Sequence, residues 1–269
     1  MSGFTLKARA AAPLRLDLRG ITPAALAALS AAEVERLEIG HGNALVPLAE
    51  FFQVDARSDD TLVLAGDLSR CDRIGWQMDG GTLIVDGAAG DYAGAGMRAG
   101  EIVVKGDAGA LAACEMAGGT LRIAGSVGDF AASTLPGSMD GMRGGTLIVG
   151  GNAGARFGDR MRRGTALIFG DAGDFLASRM VAGTIALAGR AGAHAGYGMR
   201  RGSVVFAGPA PGASPTFVPA VAGAPVFWQL LARDLAPHGG PFATLASRGI
   251  ERQLGDVAAG GKGELILVR

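Results

Sequence analysis

TLIVDGAAGDYAGAGMRAG, residues 82–100, decides the fold, because two further versions of it follow at once: EIVVKGDAGALAACEMAGG (101–119) and TLRIAGSVGDFAASTLPGSMDGMRGG (120–145). TLIVGGNAGARFGDRMRRG (146–164), TALIFGDAGDFLASRMVAG (165–183) and TIALAGRAGAHAGYGMRRG (184–202) continue the series. Upstream, TLVLAGDLSRCDRIGWQMDGG (61–81) is two residues longer, and an eighth unit opens as SVVFAG at Ser203 before decaying into proline. A fixed period of 19 residues is the mark of a repeat architecture.

Each column of this alignment has a physical meaning. The second and fourth positions hold Leu83/Val85, Ile102/Val104, Leu121/Ile123, Leu147/Val149, Ala166/Ile168 and Ile185/Leu187. Alternation with period two predicts a short strand with one face inward. Glycine fills the sixth position throughout and the ninth in most units, as expected of a corner that needs a positive φ or a close backbone approach. Met78, Met97, Met116, Met142, Met161, Met180 and Met199 form one column, seven of the nine methionines in the chain. Methionine is unbranched and fills irregular interior space, so this ladder reads as core rather than as a thioether copper site. Parallel strands one unit apart would lie about 4.8 Å from each other, and parallel crossovers are right-handed. The expected fold is therefore all-β: a right-handed parallel β-helix of about eight coils, with helical and loop caps at both ends.

Composition agrees with an ordered chain. Forty-six glycines in 269 residues is far above the usual fraction of roughly 7%, but 49% of residues are apolar, which does not suit disorder. A formal net charge of zero offers no global attraction to nucleic acid or an anionic membrane. No stretch reads as a membrane span, and the opening MSGFTLKARAAAPLRL lacks the apolar segment of a secretory signal. Cys71 and Cys114 have no CxxC spacing, so neither zinc nor a disulfide framework is expected. The chain reads as cytoplasmic.

A stacked rod has raw edges that need covers. Residues 1–60 read as an N-terminal cap with lead-in strands, 61–208 as the repeat domain, and 209–269 as a Pro/Gly linker, a helix and a last strand. Thr22-Pro23 opens a helix, and Ser30 with Glu33 forms a capping box. LEIGHGNALVPLAEFFQVDA (37–56) is expected to form a half-coil, PVFWQLLARDLAP (225–237) an amphipathic helix, and ELILV (264–268) the last strand.

Catalytic residues do not emerge. His41, His194 and His238 share no ligand spacing. His194 falls in a column with Tyr92, Leu111, Phe130, Arg156 and Phe175, which reads as a side-chain stack. Asp91, Asp129 and Asp174 occupy alternate units with alanine between, a pattern for corner residues that cap backbone amides rather than for a carboxylate pair. Two features look like docking surfaces. The third strand position, facing outward, is apolar at Val63, Ile84, Val103, Ile148, Leu167 and Val205, so either the terminal helix or another subunit must cover it. Arg98, Arg143, Arg162, Arg163, Arg200 and Arg201 collect beside each other, with Arg160 and Arg179 nearby. Unit 120–145 carries seven extra residues around STLPGSMD (133–140), so Leu135 and Pro136 sit on a loop thrown from the rod.

The motif G-x-x-M-x-x-G-x-[ILV]-x-[ILV]-x-G, with GD or AG turns, resembles the glycine-rich GXGXG β-helix family. That family includes the C-terminal part of the large subunit of glutamate synthase, together with the C subunit of formylmethanofuran dehydrogenase. The resemblance covers about residues 36–208, and GDLSRCDRIGWQMDGG (66–81) and GMRGGTLIVGGNAG (141–154) resemble the second group. The free-standing size also points away from glutamate synthase. Within the second group, the C subunit of bacterial formyltransferase/hydrolase complexes is most similar, and that of a tungsten or molybdenum dehydrogenase is the alternative. The resemblance implies a structural role, without catalytic or cofactor-binding residues or a metal. It implies partners as well: an amidohydrolase-like A subunit, a formyltransferase D subunit, and the B subunit. Together they move a formyl group from formyl-tetrahydromethanopterin to a methanofuran-type carrier and hydrolyse it to formate.

Overall fold

The computed structural model describes residues 3–9, 12–212, 214–220 and 225–269. Residues 213 and 221–224 of the expected Pro/Gly linker, and residues 1, 2, 10 and 11 of the expected N-terminal cap, lie outside it. Among the described residues the protein is mostly β, with one 13-stranded sheet, one 4-stranded sheet and few helices.

The large sheet follows from the repeat. Strands Leu62–Ala65, Asp79–Asp86, Ala99–Val104, Thr120–Ile123, Arg143–Val149, Arg163–Ile168, Thr184–Leu187 and Ser203–Phe206 pair in parallel, each with the next in the chain. Equivalent positions pair with each other: Leu83 faces Ile102, Leu121 faces Leu147, and Ile185 faces Val204. Their inward side chains are 0% exposed at nearly every unit, and so are six of the ladder methionines, with Met78 at 1%. A second ladder of single bridges joins Leu68, Ala89, Ala108, Val127, Ala153, Ala172 and Ala191, most of them the small residues before the ninth-position glycines. The chain thus returns to the same two places once per unit, with a narrow apolar interior between them.

The corners divide labour in a way the sequence leaves open. The ninth-position glycines do not use positive φ. They are there because the neighbouring unit is too close: a Cβ on Gly109 would lie 2.1 Å from Asp91 Oδ1. Left-handed backbone is carried instead by the side-chain column Tyr92, Leu111, Phe130, Arg156, Phe175 and His194, at φ between 57° and 63°. The closing glycine of each unit does need positive φ. Gly164 has φ +92°, and the Met142 Cε packs where its Cβ would be.

Corner aspartates reach one unit ahead. Asp72 accepts from the Asp91 amide (2.9 Å), Asp91 from Ala110 (2.9 Å), Asp129 from Ala155 (2.7 Å) and Asp174 from Ala193 (2.7 Å). The intervening alanines Ala110, Ala155 and Ala193 serve only as amide donors, whereas Asp91 both donates its amide and accepts. A parallel row runs through Asp107, Ser126, Asn152 and Asp171, each side chain accepting from the backbone N–H of the next, and it ends on the Arg190 amide.

Both ends reverse strand direction. Phe4–Ala8 lies parallel to Leu62–Ala65 and antiparallel to Phe52–Ala56. Gly263–Val268 lies parallel to Ser203–Phe206 and antiparallel to Ile250–Gly255. The expected half-coil at 37–56 is not formed. Glu38–His41 and Ala44–Pro47 make an antiparallel hairpin in the small sheet, and Phe52–Ala56 joins the large one. The Gly42 turn (φ +61°) between them folds the segment back on itself. Thr22 and Ser30 each cap a separate short helix, Pro23–Leu26 and Ala31–Glu35, the second with the expected capping box. The C-terminal helix runs Pro225–Leu235, and Ala236–His238 turns into a 3₁₀ segment. Its buried face, Trp228, Leu231, Ala232 and Leu235, packs with Phe242 and Leu245 on Leu167, Ala186, Val205 and Ile266.

Candidate functional site

Five of the six arginines read from the sequence meet around one concavity of about 570 Å³: Arg143, Arg162, Arg163, Arg200 and Arg201, with Val181 and Ala182 between them. The period brings Arg143, Arg162 and Arg200 together, each directly after a ladder methionine, with Arg163 and Arg201 one place further on. A register shift between the strands makes Arg143 and Arg163 direct partners. Arg98 is exposed but lies outside it, because the next unit puts Ala117 in that column. Arg162 pairs with Asp140, and Arg143 reaches Glu115 at 3.8 Å. Arg163, Arg200 and Arg201 make no ion pair among the described residues. Like charges held together without counter-ions raise the local potential and suit an anionic surface.

The inserted loop is tied to this cleft through Asp140. Leu135 is half-buried and donates its amide to Glu115 Oε1 (3.4 Å), Pro136 is exposed, and Met139 is 63% exposed. Loop and arginines therefore form one surface. Sequence reasoning misses Asp140, although a carboxylate on a loop beside an arginine column is a usable signal.

Arg179 departs from the expected arginine face. It turns to the buried Asp159, which also accepts from Ser178 Oγ at 2.6 Å. The hydrogen bond to Asp159 raises the Arg179 pKa above its ordinary value. This cluster ties two units together and is structural.

The left-handed column forms an outer stack. Arg156 lies over Phe130 (5.9 Å) and Phe175 (4.7 Å), and Phe175 stacks on His194 at 4.9 Å. His41 packs on Phe51 at 4.8 Å, and its Nε2 is buried without a hydrogen-bond partner among the described residues. His238 has its pKa lowered by burial and by Arg122. Burial pushes the thiols of Cys71 and Cys114 up to about 12, the opposite of an activated nucleophile. Among the described residues no three His, Cys, Asp or Glu side chains gather as a metal site, and no helix is long and apolar enough to cross a membrane.

No family model matches the chain. Among curated proteins it is 43% identical over 86 residues to the C subunit of the formyltransferase/hydrolase complex of Methylorubrum extorquens, 32% of each chain. It is 36% identical over 101 residues to the C subunit of the tungsten-containing formylmethanofuran dehydrogenase 2 of Methanothermobacter wolfeii, 36% of this chain and 37% of that one. These matches span about a third of the curated relatives' lengths. Structural comparison reaches further. A chain in the crystal structure of the formyltransferase/hydrolase complex (FhcABCD) from Methylorubrum extorquens, in complex with methylofuran, superposes with TM-score 0.92 at 42% identity, covering 98% of both chains. With that likeness running along the whole length, the chain belongs to the family formed by the C subunits of formyltransferase/hydrolase complexes and formylmethanofuran dehydrogenases.

Proposed function

We propose that this chain is a non-catalytic docking subunit of a cytoplasmic formyltransferase/hydrolase complex, built as a right-handed parallel β-helix of about eight coils. The observation that carries the assignment is the 42% identity over 98% of both chains to a component of such a complex. Over matched stretches of similar length, identity is 43% to the hydrolase C subunit and 36% to the dehydrogenase one, which supports the hydrolase reading over the dehydrogenase alternative. Formyl transfer and hydrolysis then belong to the formyltransferase-like and amidohydrolase-like partners, with the B subunit completing the assembly. This chain supplies a rigid frame and holds no cofactor of its own.

Docking is assigned to the arginine cleft and the loop that borders it. Three arginines without counter-ions give a partner carboxylate bidentate contacts. The test replaces Arg163, Arg200 and Arg201 with alanine in the chain co-expressed with the A, B and D subunits. The isolated variant should stay folded and melt within a few degrees of the parent. These three exposed arginines have no ion pair among the described residues to lose, and even a formed surface pair contributes only about 0–1 kcal/mol. Binding to the other subunits should weaken, most at low salt where screening is least. Unchanged assembly at low and high salt would refute the arginine assignment, and formyl transfer or hydrolysis by the purified chain would refute the non-catalytic one.

A further inference from the structure

The outer face of the large sheet carries one unbroken column of paired residues: Val63, Ile84, Val103, Arg122, Ile148, Leu167, Ala186, Val205 and Ile266. The second half, from Leu167 to Ile266, is 0% exposed beneath the C-terminal helix and Phe242. The first half is only half-buried, apart from the exposed Arg122. There an open concavity of about 620 Å³ is lined by Val103, Arg122, Ile148 and Phe169 among others. It begins where the chain's own helical layer stops, because the Phe242 ring packs edge-on against Phe169 at 5.1 Å. Resting on the assembly reading above, we propose that the open half of this face seats an amphipathic helix of another subunit, laid end to end with the C-terminal helix.

Dimensions on the covered half calibrate the open one. The 11-residue helix is about 16 Å long at 1.5 Å per residue, and together with Phe242 and Leu245 it covers four strands, about 14 Å of sheet. The open half, Val63 to Ile148, spans five strands or about 19 Å, which calls for a helix of about 13 residues. A strand does not fit there. Backbone groups of these strands are engaged in the ladders, so an added strand on the face would find no hydrogen-bond partners, whereas a helix satisfies its own. A second copy fits poorly: the outer face of its C-terminal helix is apolar only at Val226, Phe227 and Leu230, before Arg233 and Asp234. Arg122 interrupts the column and engages Glu101 through Nε at 3.1 Å. The incoming helix is therefore apolar at i, i+3 or i+4, and i+7, with a polar break where it crosses the Arg122–Glu101 pair.

Val103→Cys places a thiol at the centre of the face, while Cys71 and Cys114 are buried. Alkylation of this introduced thiol should be fast in the isolated chain and at least tenfold slower in the assembled complex. A photoreactive residue at position 84 should cross-link, within the complex, to an amphipathic helical segment of one other subunit. Equal labelling rates in the intact complex, a cross-link to a second copy of this chain, or a cross-link to a non-helical segment would overturn the inference while leaving the assembly reading standing. Failure of the unmodified chain to co-purify with the other subunits would overturn both.

Discussion

Replacing Met161 with aspartate tests whether the stack interior is dry. Met161 is 0% exposed, with the fully buried Met142 and Met180 in the same column, and its Cε lies 3.1 Å from where a Cβ on Gly183 would stand. Truncating such a methionine costs about 2–5 kcal/mol in lost packing and cavity. Burying a carboxyl without partners adds about 1–3 kcal/mol even in the neutral form. Together these rival the whole stability of a typical domain, about 5–15 kcal/mol. At about 2–4 °C per kcal/mol for a chain of this size, the melting temperature should fall by about 10 °C or more, or soluble protein should be lost. Met161→Leu conserves volume and should cost less than about 1.5 kcal/mol, a drop of a few degrees at most. The aspartate's pKa would be raised in the folded state, so its deficit should grow as pH rises above about 4. Calorimetry of the parent, Leu and Asp forms at two pH values measures all of this. An Asp variant melting within about two degrees of the parent would mean that the methionine column faces water.

Three further outcomes follow from the geometry. Asp159→Ala removes the acceptor of Ser178 and Arg179 and should cost about 1.5–3 kcal/mol, readable as a shift of the denaturation midpoint. With both thiols pushed up to about 12, Cys71 and Cys114 should resist iodoacetamide at about pH 8 in the native chain and react on unfolding; rapid native labelling would contradict their burial. Because the His238 pKa is lowered in the folded state, the unfolded chain binds more protons as pH falls past about 6.5, so stability is lost on acidification. His238→Gln should remove that component, and parallel melting curves for both forms from about pH 7 to 5 would refute it.

The large sheet is legible because burial on one face forces the same alternation in every unit, and seven units repeat it. The aspartate corners are legible as amide caps, though not that each serves the unit ahead. Left-handed backbone at Tyr92, Phe130 and Phe175 is illegible, since nothing in a single aromatic residue announces a conformation that its neighbours impose. The strands Phe4–Ala8 and Ile250–Gly255 escape for a related reason. Their partners lie across the ends of the sheet, and neither belongs to the repeat. Arg179 reads as a surface residue because its buried partner Asp159 sits 20 residues away in sequence, a spacing visible only once units are stacked.

The rows of corner side chains also govern how the protein breathes. Each aspartate, serine or asparagine holds an amide in the unit directly after it, so the coupling is between nearest neighbours only. The hydrogen bond from the Ala155 amide to Asp129 spans 26 residues and is as short as the bond from Ala193 to Asp174, which spans 19. The inserted loop is therefore transparent to this coupling: it lengthens the contour of one unit without weakening its contact with the next. Opening an interior unit breaks two such interfaces, whereas opening a terminal one breaks a single interface. Local unfolding should then enter from the ends and travel inward, unit by unit. The two reversed-strand ends, rather than the thickness of the middle, set how often the interior is exposed.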